Sequence, residues 1–240
     1  MKVSASRVLP SATAIAVSIV ALVQPLRAEM LDLTKKVVGT TVRYKVVLPT
    51  GYDPAKVYPA ILAFGGGPQS MNTVDNILTR NFRAEAEKRG YIIISPAAPD
   101  GDLFFERGDR AFPALLDQLL KDYRIAGGKL HVAGHSNGGL SAFHIAAKYP
   151  SYFRSVTGYP GLLDGQPDAS RIQALKPLCL FMHVGDHDSG WMSAMQQQAD
   201  NLKREGYRIT YAVEKNQVHR LKAAEIDLSR RLFDQIESCR

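Results

Sequence analysis

Along the chain, short apolar or alternating runs give way repeatedly to longer stretches with apolar residues three and four apart. Residues 41–48 alternate branched and polar side chains as a half-buried strand does, and Pro49-Thr50-Gly51 closes the run. Residues 60–64 form a brief apolar run that ends in Gly65-Gly66-Gly67-Pro68. From 72 to 89, Val74, Ile77, Leu78, Phe82 and Ala86 recur at helical spacing, and Gly90 stops the pattern. The runs 91–95, 130–133, 154–158, 178–184 and 207–213 read as further strands, and 112–123, 138–148, 191–206 and 221–238 as further helices. Strands that alternate with helices of this length need crossover connections. They predict an α/β fold with a mostly parallel central sheet and helices on both faces. In such sheets ligands gather where loops converge at the carboxyl ends of the strands.

The first 28 residues stand apart. Lys2 and Arg7 precede an apolar, uncharged run over 11–23, and Ala28 follows Arg27 as a small residue at a cleavage point. That is the layout of a secretory signal, and the run is shorter than the roughly 18 residues of a permanent membrane span. Removal of 1–28 is therefore expected, leaving 29–240 as one domain without a stable membrane anchor, secreted or periplasmic. The cut takes away Lys2, Arg7 and Arg27, so the formal net charge of +7 drops to +4. The remaining cations are scattered among acids, which argues for a solvated surface and against nucleic-acid binding. With 45% hydrophobic and 22% charged residues, the chain is excluded from the disordered and fibrous classes. Its two cysteines are too few for a disulfide scaffold. Export would permit a Cys179–Cys239 bond, but spacing alone does not say whether the two meet.

The sharpest chemical signal is Gly134-His135-Ser136-Asn137-Gly138, a G-x-S-x-G run between an expected strand and an expected helix. A serine on such a turn projects its hydroxyl above the sheet, and small flanking residues let strand and helix pack closely around it. The hydroxyl is a weak nucleophile until a base takes its proton. Among the later histidines, His144 falls inside a helix, His183 inside a strand and His187 in the loop behind it. His219 follows the last strand, from where it can lean over Ser136, and is the candidate base. A base needs an acid to set its tautomer. Asp188, in Gly185-Asp186-His187-Asp188, is the candidate, with Asp186 as runner-up or loop-shaping residue. Ser136, Asp188 and His219 follow the chain order of an α/β-hydrolase triad. The backbone N–H groups of Asn137 and Gly66 are the candidate oxyanion donors.

These pieces, together with Leu48-Pro49-Thr50-Gly51-Tyr52, resemble the α/β-hydrolase superfamily. Within it they resemble the small secreted serine esterases grouped with feruloyl esterases, polyhydroxyalkanoate depolymerases and predicted peptidases. The resemblance spans 41 to the C-terminus and also places the acid at Asp188. Phe64 stands where many relatives carry His, which leaves a hole made of backbone N–H groups intact. The resemblance implies a serine esterase that needs no cofactor or metal and acts on a small-molecule or oligomeric ester. A serine peptidase is the near alternative. From other classes come a metal site of His183, Asp186, His187 and Asp188, and a noncatalytic binding protein on a hydrolase scaffold. Only about twenty residues, 159–178, are available for a lid, so an open site is expected. Phe104, Phe105, Tyr159 and Trp191 are candidate walls, or else packing residues.

Overall fold

A computed structural model of the chain describes residues 28–165 and 167–239. Apart from Ala28, the signal-like stretch lies outside the described residues. Strands β1 (Glu29–Val37), β2 (Thr40–Leu48), β3 (Ala60–Phe64), β4 (Ile92–Pro96), β5 (Leu130–Gly134), β6 (Phe153–Gly158), β7 (Cys179–Gly185) and β8 (Arg208–Glu214) form one eight-stranded sheet. Its order is β1-β2-β4-β3-β5-β6-β7-β8. β2 pairs antiparallel with both β1 and β4, and every other pairing is parallel. Between the strands run α1 (Met71–Ile77), α2 (Arg83–Arg89), α3 (Ala114–Asp122), α4 (Asn137–Lys148), α5 (Ala169–Ala174) and α6 (Ser189–Arg204), and α7 (Leu228–Ser238) closes the chain.

The inner strands β3, β4, β5 and β7 are buried on both faces, so most of their residues are apolar and successive side chains feed opposite cores, whereas the edge strand β8 alternates exposed and half-buried positions. Leu62, Phe64, Ile92 and Ile94 face one core, where α3, α4 and α6 supply Leu116, Phe143 and Met195. Ile61, Ala63 and Ile93 face the other, closed by Val74, Phe82, Phe233 and Ile236 from the α1–α2 region and α7. The helices thus lie on both faces, as the alternation predicts.

Three elements depart from the pattern-based expectation. β1 is an edge strand whose alternating, half-exposed residues include Asp32, Lys35 and Lys36, so its apolar content is too low to stand out. Val38 and Gly39, with φ of 47° and 77°, turn it into β2, as two-residue hairpins require. The helix expected over 72–89 is interrupted by a π turn, Leu78–Phe82, between α1 and α2. The closing helix begins only at Leu228: 221–227 turn instead, ending on Asp227 at a φ of 49°.

Segment 159–178 holds only the short α5, which packs on α4, and supplies no large lid. Cys179, at the start of β7, and Cys239, beyond the end of α7, form a disulfide with a Cα–Cα distance of 5.9 Å. Among the described residues no helix is long and apolar enough to cross a membrane.

Candidate active site

Ser136 sits between β5 and α4 with φ 58° and ψ −122°, a strained conformation for any residue with a Cβ. Its neighbours explain how the turn closes. A Cβ on Gly134 would lie 2.0 Å from the Gly138 carbonyl oxygen, and one on Gly138 would lie 2.1 Å from the Phe64 carbonyl oxygen. Side chains at either place would push the helix off the strands, so the G-x-S-x-G spacing is a packing requirement. The Ser136 N–H donates to the Pro160 carbonyl at 2.9 Å, tying the strained turn to the loop after β6.

The loops after β7 and β8 lie side by side because the strands are neighbours. They are joined by backbone hydrogen bonds from His187 N–H to the Gln217 carbonyl at 2.9 Å and from Asp186 N–H to the Glu214 carbonyl at 3.0 Å. The Asp186 carboxylate accepts the Gln217 N–H at 3.1 Å. Its pKa is lowered, chiefly by hydrogen bonding to the Asn216 backbone. Asp186 is therefore the loop-shaping residue of the pair, and Asp188 is the one that reaches the histidine.

Asp188 Oδ2 lies 2.7 Å from His219 Nδ1, and His219 Nε2 lies 2.8 Å from Ser136 Oγ. Three side chains far apart in sequence thus form one hydrogen-bonded row. The carboxylate can only accept, so Nδ1 carries the proton, and Nε2 presents its lone pair to the serine hydroxyl. The Asp188 side chain is 13% exposed and that of His219 41%.

Gly66 and Asn137 flank the row. Among the described residues neither backbone N–H has a protein acceptor. Asn137 Nδ2 donates to the Gly67 carbonyl at 2.9 Å, which fixes the glycine loop against the start of α4. A Cβ on Gly66 would lie 2.7 Å from His135 Nδ1, so the close approach demands glycine.

Two supporting residues escape sequence reasoning. Gln69 is fully buried; it donates through Nε2 to Ser141 Oγ at 2.8 Å and accepts the Phe104 N–H at 3.0 Å, bracing the glycine loop from below. His135 lies with Nε2 3.3 Å from the His219 carbonyl oxygen. Burial, reinforced by the nearby His219, lowers its pKa to about 4. The ring is therefore neutral at pH 7 and donates Nε2–H to that carbonyl, holding the backbone of His219. The variable position of G-x-S-x-G carries no signal for this; only the folded loops bring it there.

The other candidates separate. His183 is buried against Glu214 and Gln235, His187 is exposed beside Asp186, and Asp188 is engaged by His219. The four residues weighed as a metal site therefore face different partners. Among the described residues no three His, Cys, Asp or Glu side chains gather as a metal site. His144 is held by Asp109 and Arg171. Phe104 is no wall: it is fully buried against Phe64 and Phe112, with ring centroids 5.1 and 5.7 Å apart. Tyr159 does line a cleft of about 670 Å³, which opens beside Gly66, Gly67 and His135 and runs under residues 220–225. Trp191 stands against His219, with ring centroids 5.5 Å apart.

No protein-family model matches the chain. It is 32% identical over 133 residues to dipeptidyl-peptidase 5 of Porphyromonas gingivalis, a match that covers 50% of this chain and 19% of that protein. The likeness therefore concerns about a fifth of the longer protein. Among solved structures, a thermostable esterase superposes with a TM-score of 0.70 at 14% identity, over 88% of this chain and 63% of that one. A ferulic acid esterase superposes with a TM-score of 0.67 at 17% identity, over 88% of this chain and 99% of that one. The sheet order, the two-sided helical cover and these superpositions agree: the chain has the α/β-hydrolase fold.

Proposed function

We propose that the protein is a serine hydrolase that cleaves carboxylic esters through an acyl-enzyme. The observation that carries this is the row Asp188–His219–Ser136, with donor and acceptor distances of 2.7 and 2.8 Å, on a strained serine turn. Ser136 Oγ attacks the ester carbonyl carbon while its proton passes to His219 Nε2, and the imidazolium is stabilised by Asp188. The carbonyl oxygen becomes an oxyanion that accepts hydrogen bonds from the Gly66 and Asn137 N–H groups, each contributing about 3 kcal/mol. Collapse breaks the C–O bond, and His219 returns its proton to the departing alkoxide. A water, deprotonated by the same imidazole, then attacks the acyl-serine; its breakdown returns the proton to Ser136 Oγ and releases the acid. No step needs a cofactor. The solved neighbours named as esterases support the ester reading.

A peptidase is the second reading, favoured by the likeness to a dipeptidyl-peptidase. It uses the same row but must protonate an amine. Labelling with a fluorophosphonate and mapping the adduct tests the nucleophile: the adduct is expected on Ser136, and an unlabelled protein would reject the mechanism. Comparing p-nitrophenyl acetate with dipeptidyl p-nitroanilides separates the two substrates.

Export is part of the proposal. The signal-like layout of 1–28 and the Cys179–Cys239 bond, which suits an oxidising compartment, both support it. The N-terminal mass of the mature protein, isolated from a fractionated host, tests it.

A further inference from the structure

The cleft beside the glycine loop holds more positive charge than it neutralises. Arg80, Arg220 and Lys222 border it, and Glu225 is the one acid among its lining residues. Lys222 Nζ pairs with Glu225 Oε1 at 3.0 Å, so that cation is matched. Arg80 and Arg220 have neither an ion-pair partner nor a side-chain hydrogen bond among the described residues. Every other described arginine does. Arg43, Arg83, Arg89, Arg107, Arg110, Arg230 and Arg231 pair with carboxylates. Arg124, Arg154 and Arg208 donate to carbonyls, Arg171 meets His144, and Arg204 meets Asn201. Among the described residues, the two guanidiniums without such a partner are the two that border the cleft.

Their positions are not incidental to the site. Arg220 directly follows His219, and Arg80 lies in the π turn Leu78–Phe82, a distortion found often at functional sites. Ile77, Tyr159 and Leu221 line the same cleft as the two charges and give it apolar wall. Such walls strengthen the field of a nearby cation, and a guanidinium's forked donors fit the paired oxygens of a carboxylate or phosphate.

We propose that the cleft selects substrates that carry an anionic oxygen group, carboxylate or phosphate, away from the bond to be cut, and that Arg80 and Arg220 hold that group. The inference rests on the hydrolase reading above and narrows its substrate class. No charge is transferred: the anion is bound, and the ester is cleaved by the row already described.

Paired esters test it. On the acyl side, mono-p-nitrophenyl adipate is compared with p-nitrophenyl hexanoate; on the alcohol side, 4-acetoxyphenylacetate with 4-ethylphenyl acetate. A third arm, 4-acetoxybenzylphosphonate, separates phosphate-like from carboxylate recognition. In at least one pair kcat/KM is expected to be about tenfold higher for the anion, the size of one charge-assisted hydrogen bond at an exposed site. The ratio should shrink in about 0.5 M NaCl and fall to near one in the Arg80→Gln/Arg220→Gln variant. A misfolded variant lowers both members of a pair together, so the ratio remains informative, and the salt series needs no variant. A flat ratio in every arm overturns the proposal, as does a ratio that survives the double substitution. Fluorophosphonate labelling of Ser136 reports on the hydrolase alone. A labelled enzyme with a flat ratio removes only the anion site, whereas an unlabelled, inactive protein removes both.

Discussion

Two histidine–carboxylate pairs are built on the same two neighbouring strands. The inner pair joins His183 of β7 to Glu214 at the end of β8, with Nδ1 and Oε1 2.8 Å apart. The outer pair, on the loops that follow those strands, joins His219 to Asp188 at 2.7 Å. The contacts are nearly equal in length and the chemistry of the partners is the same. What differs is the other face of each ring. His183 is fully buried and its Nε2 meets Gln235 of α7 at 2.8 Å, while Arg231 of the same helix takes the second Glu214 oxygen at 2.8 Å. His219 is part exposed and its Nε2 meets a serine hydroxyl on a strained turn. The inner pair therefore fastens α7 to the sheet, whereas the outer pair is the one that the proposed mechanism uses to pass a proton. A histidine beside a carboxylate acquires a role from what its second nitrogen faces.

Substitutions should pull the two pairs apart. Ser136→Ala is expected to lower kcat on p-nitrophenyl acetate by about 10⁶-fold, leaving only background binding effects. Asp188→Asn keeps the shape of the outer pair but lets the wrong tautomer of His219 persist, and kcat should fall by about 10⁴-fold while the urea midpoint stays near the parent's. Glu214→Gln should show the reverse profile. It strands Arg231 beside a buried amide, costing about 3 kcal/mol in urea unfolding, with kcat of the folded protein close to the parent's. If the two profiles came out exchanged, the roles assigned to the pairs would be exchanged as well.

The smallest effect is a pH dependence of stability. Burial lowers the pKa of both His131 and His135 to about 4, against 6.5 for a free histidine. As pH falls below 6.5 the unfolded chain takes up protons that the folded chain refuses, so stability declines. Urea titrations should show about 1 kcal/mol lost between pH 7 and 6, and more down to pH 4. Glu214 adds a second loss. Burial alone would raise its pKa, but hydrogen bonds from His183 and Arg231 bring it down to about 2 from 4.5. Its contribution is present above pH 4.5 and disappears as the pH approaches 2. Replacing His131 and His135 with Asn should flatten the first limb and leave the second.

What could be read in advance follows a physical divide. The inner strands β4 and β7 were legible because burial on both faces makes them continuous apolar runs, as in 91–95 and 178–184. β1 was not, because an edge strand with one wet face carries Asp32, Thr34 and Lys36 there at no cost, and Lys35 on its packed face is matched by Asp122. The helical spacing of Leu221, Ala223 and Ile226 was misleading, since these residues pack on the core from a turn that lines the cleft. That Ser136, Asp188 and His219 could meet was legible through loop order, which the topology of a wound sheet constrains. Gln69, His135 and the unmatched Arg80 and Arg220 were not, because each matters only through neighbours brought together by folding.

The bond between Cys179 and Cys239 has a consequence for the way the halves of the site are held. It closes a covalent ring across a separation of 60 residues. Asp188 and His219 both belong to that ring, whereas Ser136 lies outside it. Asp188 and His219 are thus kept in register by a staple at the opposite end of β7, whereas Ser136 is held by noncovalent packing around Gly134 and Gly138 and by the hydrogen bond from its N–H to the Pro160 carbonyl. Loosening in a reducing medium would begin in the half that holds Asp188 and His219, and reach Ser136 through the His219–Ser136 hydrogen bond and the contact of His135 with the His219 carbonyl.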